Sequence, residues 1–372
     1  MTAAHDLGWD ERWSAYVQVA AMNAPMSGRA HDGLCPARVV AVHRGGIEVL
    51  PLPDGGAGPG PALAVDLKAP GHATDGEEWP PIVGDWVALQ PGGGAGPIIR
   101  SILPRRSYLE RPSASGRSVG QPIAANVDVV LIAEPMDPGP SVGRIERLTA
   151  LARSAGAQAW LVLTKADLAD PESVAQACRQ LGMITDEALA VSASDPRALQ
   201  ALRDRLAQGT TAVLLGRSGA GKSTLTNALL GTDLATQEVR ASDSKGRHTT
   251  TSRQLIAGQG ISIIDTPGIR ALAATADGQA IDETFRDLVE LAAGCRYADC
   301  THTSEPDCAV RQAVASGGAE ADRLERYQRM VRESSRLDLR RNARLLREEQ
   351  RRATRRDSRG RRGTMRLKGR RD

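Results

Sequence analysis

A chain of 372 residues exceeds the roughly 100–200 residues of a single domain, and 41% hydrophobic with 25% charged residues is ordinary for globular protein, so two or three packed units are expected. Aromatic residues supply only 3%, with Phe285 the single phenylalanine, which argues against binding bases mainly on stacked aromatic platforms. The net charge of +4 hides an asymmetry: residues 335–372 hold 16 Lys/Arg against 5 Asp/Glu, so the basicity belongs to the C-terminus.

Such a run suits phosphate-rich partners, nucleic acid or a membrane surface, and a solubilising tail is the plain alternative. No stretch approaches the roughly 20 apolar residues of a membrane span, and MTAAHDLGWDERW lacks a basic segment followed by an apolar one. A cytoplasmic protein with no membrane partner is expected.

Along the chain, Trp9, Trp13 and Tyr16 have the spacing of a short amphipathic helix that packs locally or touches a partner. From Ala37 to about Tyr108, short alternating runs at 37–43, 47–50, 84–89 and 98–103, separated by Gly and Pro, predict a small OB-like β-barrel. Such a barrel serves equally as a nucleic-acid or a protein platform. Arg105, Arg106 and Arg111 then lead into a linker ending near Gln121.

The apolar runs at 127–133, 159–163, 212–215 and 261–264 read as strands covered on both faces, with a helix over 142–154. Strands alternating with helical segments predict an α/β sheet with right-handed crossovers. After Ile269 the pattern turns helical, and a long polar helix is expected from about Glu320 to Arg352.

The chemistry lies in the order of the motifs. Thr164-Lys165-Ala166-Asp167 reads as a guanine-specificity motif, because the Asp167 carboxylate can accept both the N1 and the exocyclic amine protons of guanine while adenine offers no such pair. The Lys165 stem can cover the base, and in Val191-Ser192-Ala193-Ser194 the Ala193 amide can reach the guanine carbonyl.

Only afterwards comes Gly216-Arg217-Ser218-Gly219-Ala220-Gly221-Lys222-Ser223, a GxxxxGKS phosphate loop between an apolar strand and a helix that opens at Thr224. Its amides and helix N-terminus face phosphate, Lys222 bridges the β- and γ-phosphates, and Ser223 offers its hydroxyl to Mg²⁺. This succession, the reverse of an ordinary GTPase, implies a circularly permuted G domain.

Asp265-Thr-Pro-Gly268 ends the strand at 261–264, so Asp265 can hold Mg²⁺ through water and the Gly268 amide can sense the γ-phosphate. Gly246-Arg-His-Thr-Thr-Thr251 has the polarity of a switch loop, with Thr250, or else Thr249, completing the magnesium shell. Ile269 stands where many small GTPases carry a water-orienting glutamine. His248 is therefore the candidate to orient water, the alternative being a loop histidine or one that meets a partner's phosphate.

With TKAD, SAS, GRSGAGKS, GRHTTT and DTPG in this order, the chain resembles the RsgA (YjeQ) family of circularly permuted GTPases over about Ala37 to Arg332. The resemblance implies a multidomain protein with an OB-like β-barrel (36–110), a central α/β circularly permuted P-loop GTPase domain (120–275) and a mostly helical zinc-binding domain (276–334), flanked in this chain by an N-terminal extension (1–35) and a basic tail (335–372). It further implies a monomer that hydrolyses GTP to GDP, stimulated by the small ribosomal subunit and its rRNA during late maturation. Two departures stand out: Thr164 replaces the commoner Asn, and the Arg-rich extension after Arg336 is longer than the family needs.

Cys295-x4-Cys300-x-His302-x5-Cys308 offers three thiolates and an imidazole, a full tetrahedral set for one structural Zn²⁺, with free thiols or a redox pair as the alternative. These four match the family's ligands. Because the cluster follows the DTPG switch so closely, hydrolysis is expected to change the module's grip on RNA. Two other readings remain: an RNA-binding chaperone with structural nucleotide, and a permuted GTPase acting on the large subunit.

Overall fold

The computed structural model describes residues 4–22, 34–43, 45–52, 59–67, 80–90, 96–111, 120–232, 253–265 and 276–368. They divide into two units, one of residues 1–111 with 122–285 and the other of 112–121 with 286–372.

The first unit opens with a single 3-10 turn (Ala4–Leu7) and α1 (Glu11–Met22), followed by β1 (Cys35–Val42), β2 (Ile47–Pro51), β3 (Leu63–Val65), β4 (Trp86–Gln90) and β5 (Ile98–Ile102). These strands pair in the order β5-β4-β1-β2-β3. Alternate side chains, among them Ala37, Val39, Val49, Val87 and Ile99, gather into an apolar cluster of their own, as the period-2 pattern requires. The strands are not a separate sheet, however, because β1 also pairs antiparallel with β12 (Gln254–Gly258) through Ala41 and Gln254.

The aromatic N-terminus packs locally. Trp13 is buried, and both Trp9 and Trp13 meet the Trp86 ring, at 4.8 and 5.9 Å between centroids. Fully buried Arg38 donates to Leu7 O, Asn126 O and Thr211 Oγ1 at 3.1–3.2 Å, tying the first turn to the sheet behind it. Burial lowers the Arg38 pKa to about 10 against the pull of Asp128 and Asp85.

The arginines that lead into the expected linker are anchored, while residues 112–119 of that linker lie outside the described residues. Arg105 forms a bidentate pair with buried Asp85 at 2.7 Å, and Arg106 reaches Asp10 at 2.7 Å while lying 4.2 Å from the Trp13 ring. Next, β6 (Tyr108–Arg111) and β7 (Gln121–Ala125) form a two-stranded sheet.

The α/β part follows as β8 (Val129–Pro135), α2 (Val142–Ser154), β9 (Gln158–Thr164), α3 (Pro171–Gly182), β10 (Glu187–Val191), α4 (Pro196–Arg205), β11 (Thr211–Gly216), α5 (Lys222–Leu230), β12 and β13 (Ile261–Asp265). Strands β10-β9-β8-β11-β13 run parallel, with β12 antiparallel beside β13. Period-2 alternation sorts their apolar residues: Val130, Ile132, Leu161 and Val213 share a core with α2 and α3 on one face, and Leu131, Val162, Ala212 and Leu214 share one with α4 and α5 on the other. Helix α6 (Gly278–Thr284) packs on α2, and its cap Asp277 exchanges hydrogen bonds with Ser154.

The second unit contains α7 (Arg286–Ala292), the Cys/His loops, α8 (Ala309–Ala315) and α9, which runs unbroken over Ala321–Lys368. Among the described residues no helix is long and apolar enough to cross a membrane.

Candidate functional site

The parallel ladder decides which residues can meet. Its registers pair Val191 with Thr164, Thr164 with Pro135, and Ala133 with Gly216. The segments that follow β10, β9 and β11 therefore leave the sheet along one carboxyl edge, and Asp265 ends β13 on the same edge. The chain passes outward from β8 through β9 to β10 and then returns to β11 on the other side of β8. Open α/β sheets bind ligands at such a switch point.

At the phosphate loop, Gly216 has φ +151° and lies so close to β8 that a Cβ would sit 2.2 Å from Ala133 O. Only glycine fits there. Gly221 caps α5 in the left-handed region, and Ser223 and Thr224 stand exposed on the helix's first turn. The Lys222 ammonium folds back over the loop, donating to Gly216 O at 3.0 Å and Arg217 O at 2.8 Å. Burial lowers its pKa, and the Asp265 and Glu134 carboxylates act in the opposite direction.

The guanine motif touches this loop directly. Buried Thr164 donates through Oγ1 to Ala220 O at 2.8 Å, so the residue standing where Asn is commoner joins base and phosphate segments. Lys165 takes a left-handed conformation (φ 54°) that turns the chain into Ala166–Leu168, leaving Asp167 exposed. Ser192 is buried and shares a 2.7 Å hydrogen bond with Ser194, Asp195 caps α4, and Ala193 is exposed at the turn between them.

Sequence reasoning missed one pair on this edge. Glu134 is fully buried at the end of β8, where Arg144 Nη1 reaches both carboxylate oxygens at 2.9 Å and Ser141 N donates at 3.2 Å. The available signal was a carboxylate closing an otherwise apolar run. Such a charge stays buried only when paired. The expectations at His248, Thr249, Thr250, Gly268 and Ile269 lie outside the described residues.

In the second unit, Cys295, Cys300, His302 and Cys308 bring their ligand atoms within 4.8 Å of one another. Bonds of about 2.3 Å to sulfur and 2.0 Å to nitrogen around tetrahedral Zn²⁺ require sulfur–sulfur edges of about 3.8 Å and sulfur–nitrogen edges of about 3.5 Å. The observed separations are 3.8 Å for Cys295–Cys308 and 3.6 and 3.4 Å from His302 Nδ1 to those two sulfurs. Those three edges match the ion, and Cys300 Sγ completes the cluster within the same 4.8 Å.

The three thiols are not equivalent. Burial and the facing Cys308 and Cys295 thiols push Cys300 up to about 11. Against its burial, the Val310 and Ala309 amides at the start of α8 hold Cys295 below the ordinary thiol value. Three adjacent thiolates ionise together only around positive charge.

The loop between ligands has its own organiser, which sequence reasoning also missed. The Glu305 carboxylate accepts from Thr301 Oγ1 at 2.5 Å and from the amides of Thr301, Thr303 and Ser304 at 2.9–3.0 Å, bonds that hold its pKa well below the usual range. Around this anchor His302 adopts φ 58°, costly for a non-glycine residue.

A family model described as RsgA GTPase matches residues 102–275. The small ribosomal subunit biogenesis GTPase RsgA of Streptomyces coelicolor is 41% identical over 344 residues, covering 90% of this chain and 88% of that protein. The protein of the same name from Xanthomonas axonopodis pv. citri is 40% identical, covering 88% and 87%. Among solved structures, YjeQ from Thermotoga maritima is similar with a TM-score of 0.58 at 24% identity, covering 81% of this chain and 98% of that one. YloQ, described as a circularly permuted GTPase, is similar with 0.59 at 22%, covering 82% and 97%. At these identities the structural likeness is one of fold.

Proposed function

The chain belongs to the RsgA family of GTPases, and on that premise we propose that it hydrolyses GTP along the β10-β9-β8-β11-β13 edge while assisting late maturation of the small ribosomal subunit. The observation that carries this reading is that the strand ends leading to Ala193, Asp167, the 216–223 loop and Asp265 follow one another along a single carboxyl edge of the sheet.

In this reading Asp167 accepts the two guanine N–H groups, Lys165 covers the base, and Ser192 supports the turn that offers the Ala193 amide. The amides of Gly216 to Thr224, with Arg217, Ser218, Gly219, Ala220 and Gly221 shaping the loop, hold the phosphates. Lys222 leaves its loop carbonyls for the β- and γ-oxygens. The hydroxyls of Ser223 and Thr250, with the Asp265 carboxylate, would hold Mg²⁺, which would supply positive charge against the phosphates. Gly268 senses the γ-phosphate, and His248 orients the attacking water.

The β1–β5 strands serve as an OB-like platform, and Cys295, Cys300, His302 and Cys308 hold one structural Zn²⁺. The protein works as a cytoplasmic monomer that contacts rRNA. Phosphate release from GTP, measured alone and with each purified ribosomal subunit, tests the proposal. Stimulation by the small subunit is expected; none, or stimulation by the large subunit instead, overturns it.

A further inference from the structure

One buried charge at the nucleotide edge is not among the groups assigned to the nucleotide. Glu134 sits in the ladder between the two motif-bearing strands: it pairs with Leu163, just before the guanine motif, and its neighbour Ala133 pairs with Gly216 of the phosphate loop. The Glu134 side chain is fully buried, whereas that of its partner Arg144 is 38% exposed. Water therefore screens the cation of this pair far more than the anion, and a net negative field remains inside the edge.

Holding a loop does not explain that charge. Glu134 Oε2 accepts from Ser141 N, at the cap of α2, and Arg144 Nη1 spans both oxygens, so the carboxylate fixes the turn from β8 into the helix. A neutral amide in its place would accept hydrogen bonds from the same donors and cost far less to bury. What the amide would lack is an effect on Lys222. That ammonium rests on Gly216 O and Arg217 O. Of the two members of the pair, only Glu134 acts on its charge, in the same direction as Asp265. Asp265 is exposed at its strand end, so Glu134 is the buried member of the two.

We propose that Glu134 is a positioning residue for Lys222, holding the ammonium on the loop carbonyls between turnovers and working against the phosphates of bound nucleotide, so that GDP is released quickly. The proposal rests on the nucleotide reading of this edge. A fixed anion behind the loop repels every phosphate added to the ligand, so its effect grows with their number. A purely structural role for Glu134 predicts no such dependence.

The test uses the full-length protein, Glu134→Gln, and Glu134→Gln combined with Arg144→Gln. The double variant leaves no unpaired charge beside β8 and carries the test alone if the single one does not fold. Affinities for GDP and GMP are measured by calorimetry, and GDP dissociation by stopped flow. Both variants should bind GDP about fivefold more tightly than wild type and release it correspondingly more slowly, the scale of one buried charge acting through an effective dielectric of about 20. GMP should tighten by less. Equal or weaker GDP binding, or the same change for GDP and GMP, overturns the assignment. So does tightening in a folded single variant but not in the double one, which would trace the effect to the freed Arg144 cation. Wild-type protein that binds neither nucleotide would reject the nucleotide reading itself, and this assignment with it.

Discussion

The residues proposed to bind the nucleotide are spread from Asp167 to Asp265, yet each described one stands at or just beyond the carboxyl end of a strand in a continuous ladder with an apolar core on both faces. The four ligands of the Cys/His module fall within residues 295–308, between helices of only seven residues each. A ladder stores its geometry in backbone hydrogen bonds and burial, so the nucleotide edge exists before a ligand arrives. The short module has too little core for that and, with the proposed Zn²⁺ held by its four side chains, would take its folding energy from the metal.

The largest effect should come from breaking the metal side of this contrast. Chelation, or Cys308→Ser, removes a contribution on the order of 10 kcal/mol. Protease protection of the module should disappear while GTP affinity, read by calorimetry, stays within about twofold of wild type. A parallel collapse of nucleotide binding would refute the contrast.

Lys222→Ala attacks the other side. Turnover should fall roughly 10²–10³-fold, the usual cost of deleting a group aimed at transition-state charge, with unchanged zinc content. Loss of zinc from this variant would show that the two regions share one folding unit.

A smaller effect is expected at Glu305, which touches no ligand atom but ties down the loop bearing His302. Glu305→Ala should weaken metal retention about tenfold in a chelator competition, within the range of outer-shell substitutions. Retention equal to wild type would mean that the four ligands organise the loop unaided.

The mildest test is Thr164→Val, which keeps the shape and removes the donor to Ala220 O. One lost buried hydrogen bond costs about 1 kcal/mol, so GDP should bind about fivefold more weakly. Unaltered affinity would show that the base and phosphate segments are aligned by the ladder alone.

Much of this was legible in the chain itself. The runs behind β8, β9, β11 and β13 are continuously apolar because both faces are covered, and 142–154 coincides with α2 (Val142–Ser154). By contrast β3, β10 and β12 are short and only partly buried, so neither a continuous run nor a clean alternation marks them. Arg105 and Arg106 read as the approach to a linker because arginines look solvent-directed. Their partners Asp85 and Asp10 lie far away in sequence.

The linear chain by itself determined the permuted motif order, the phosphate loop with its strand and helix, and the Cys/His set, because each is a local pattern of residue types with one chemical use. Only the tertiary structure decided that Glu134 and Arg144 pair within the nucleotide edge, that Thr164 grips Ala220, that Glu305 organises the metal loop, and that the N-terminal strands join the central sheet. Those contacts depend on strand register and side-chain reach between distant segments, and both are set by packing the whole unit rather than by any stretch of neighbours.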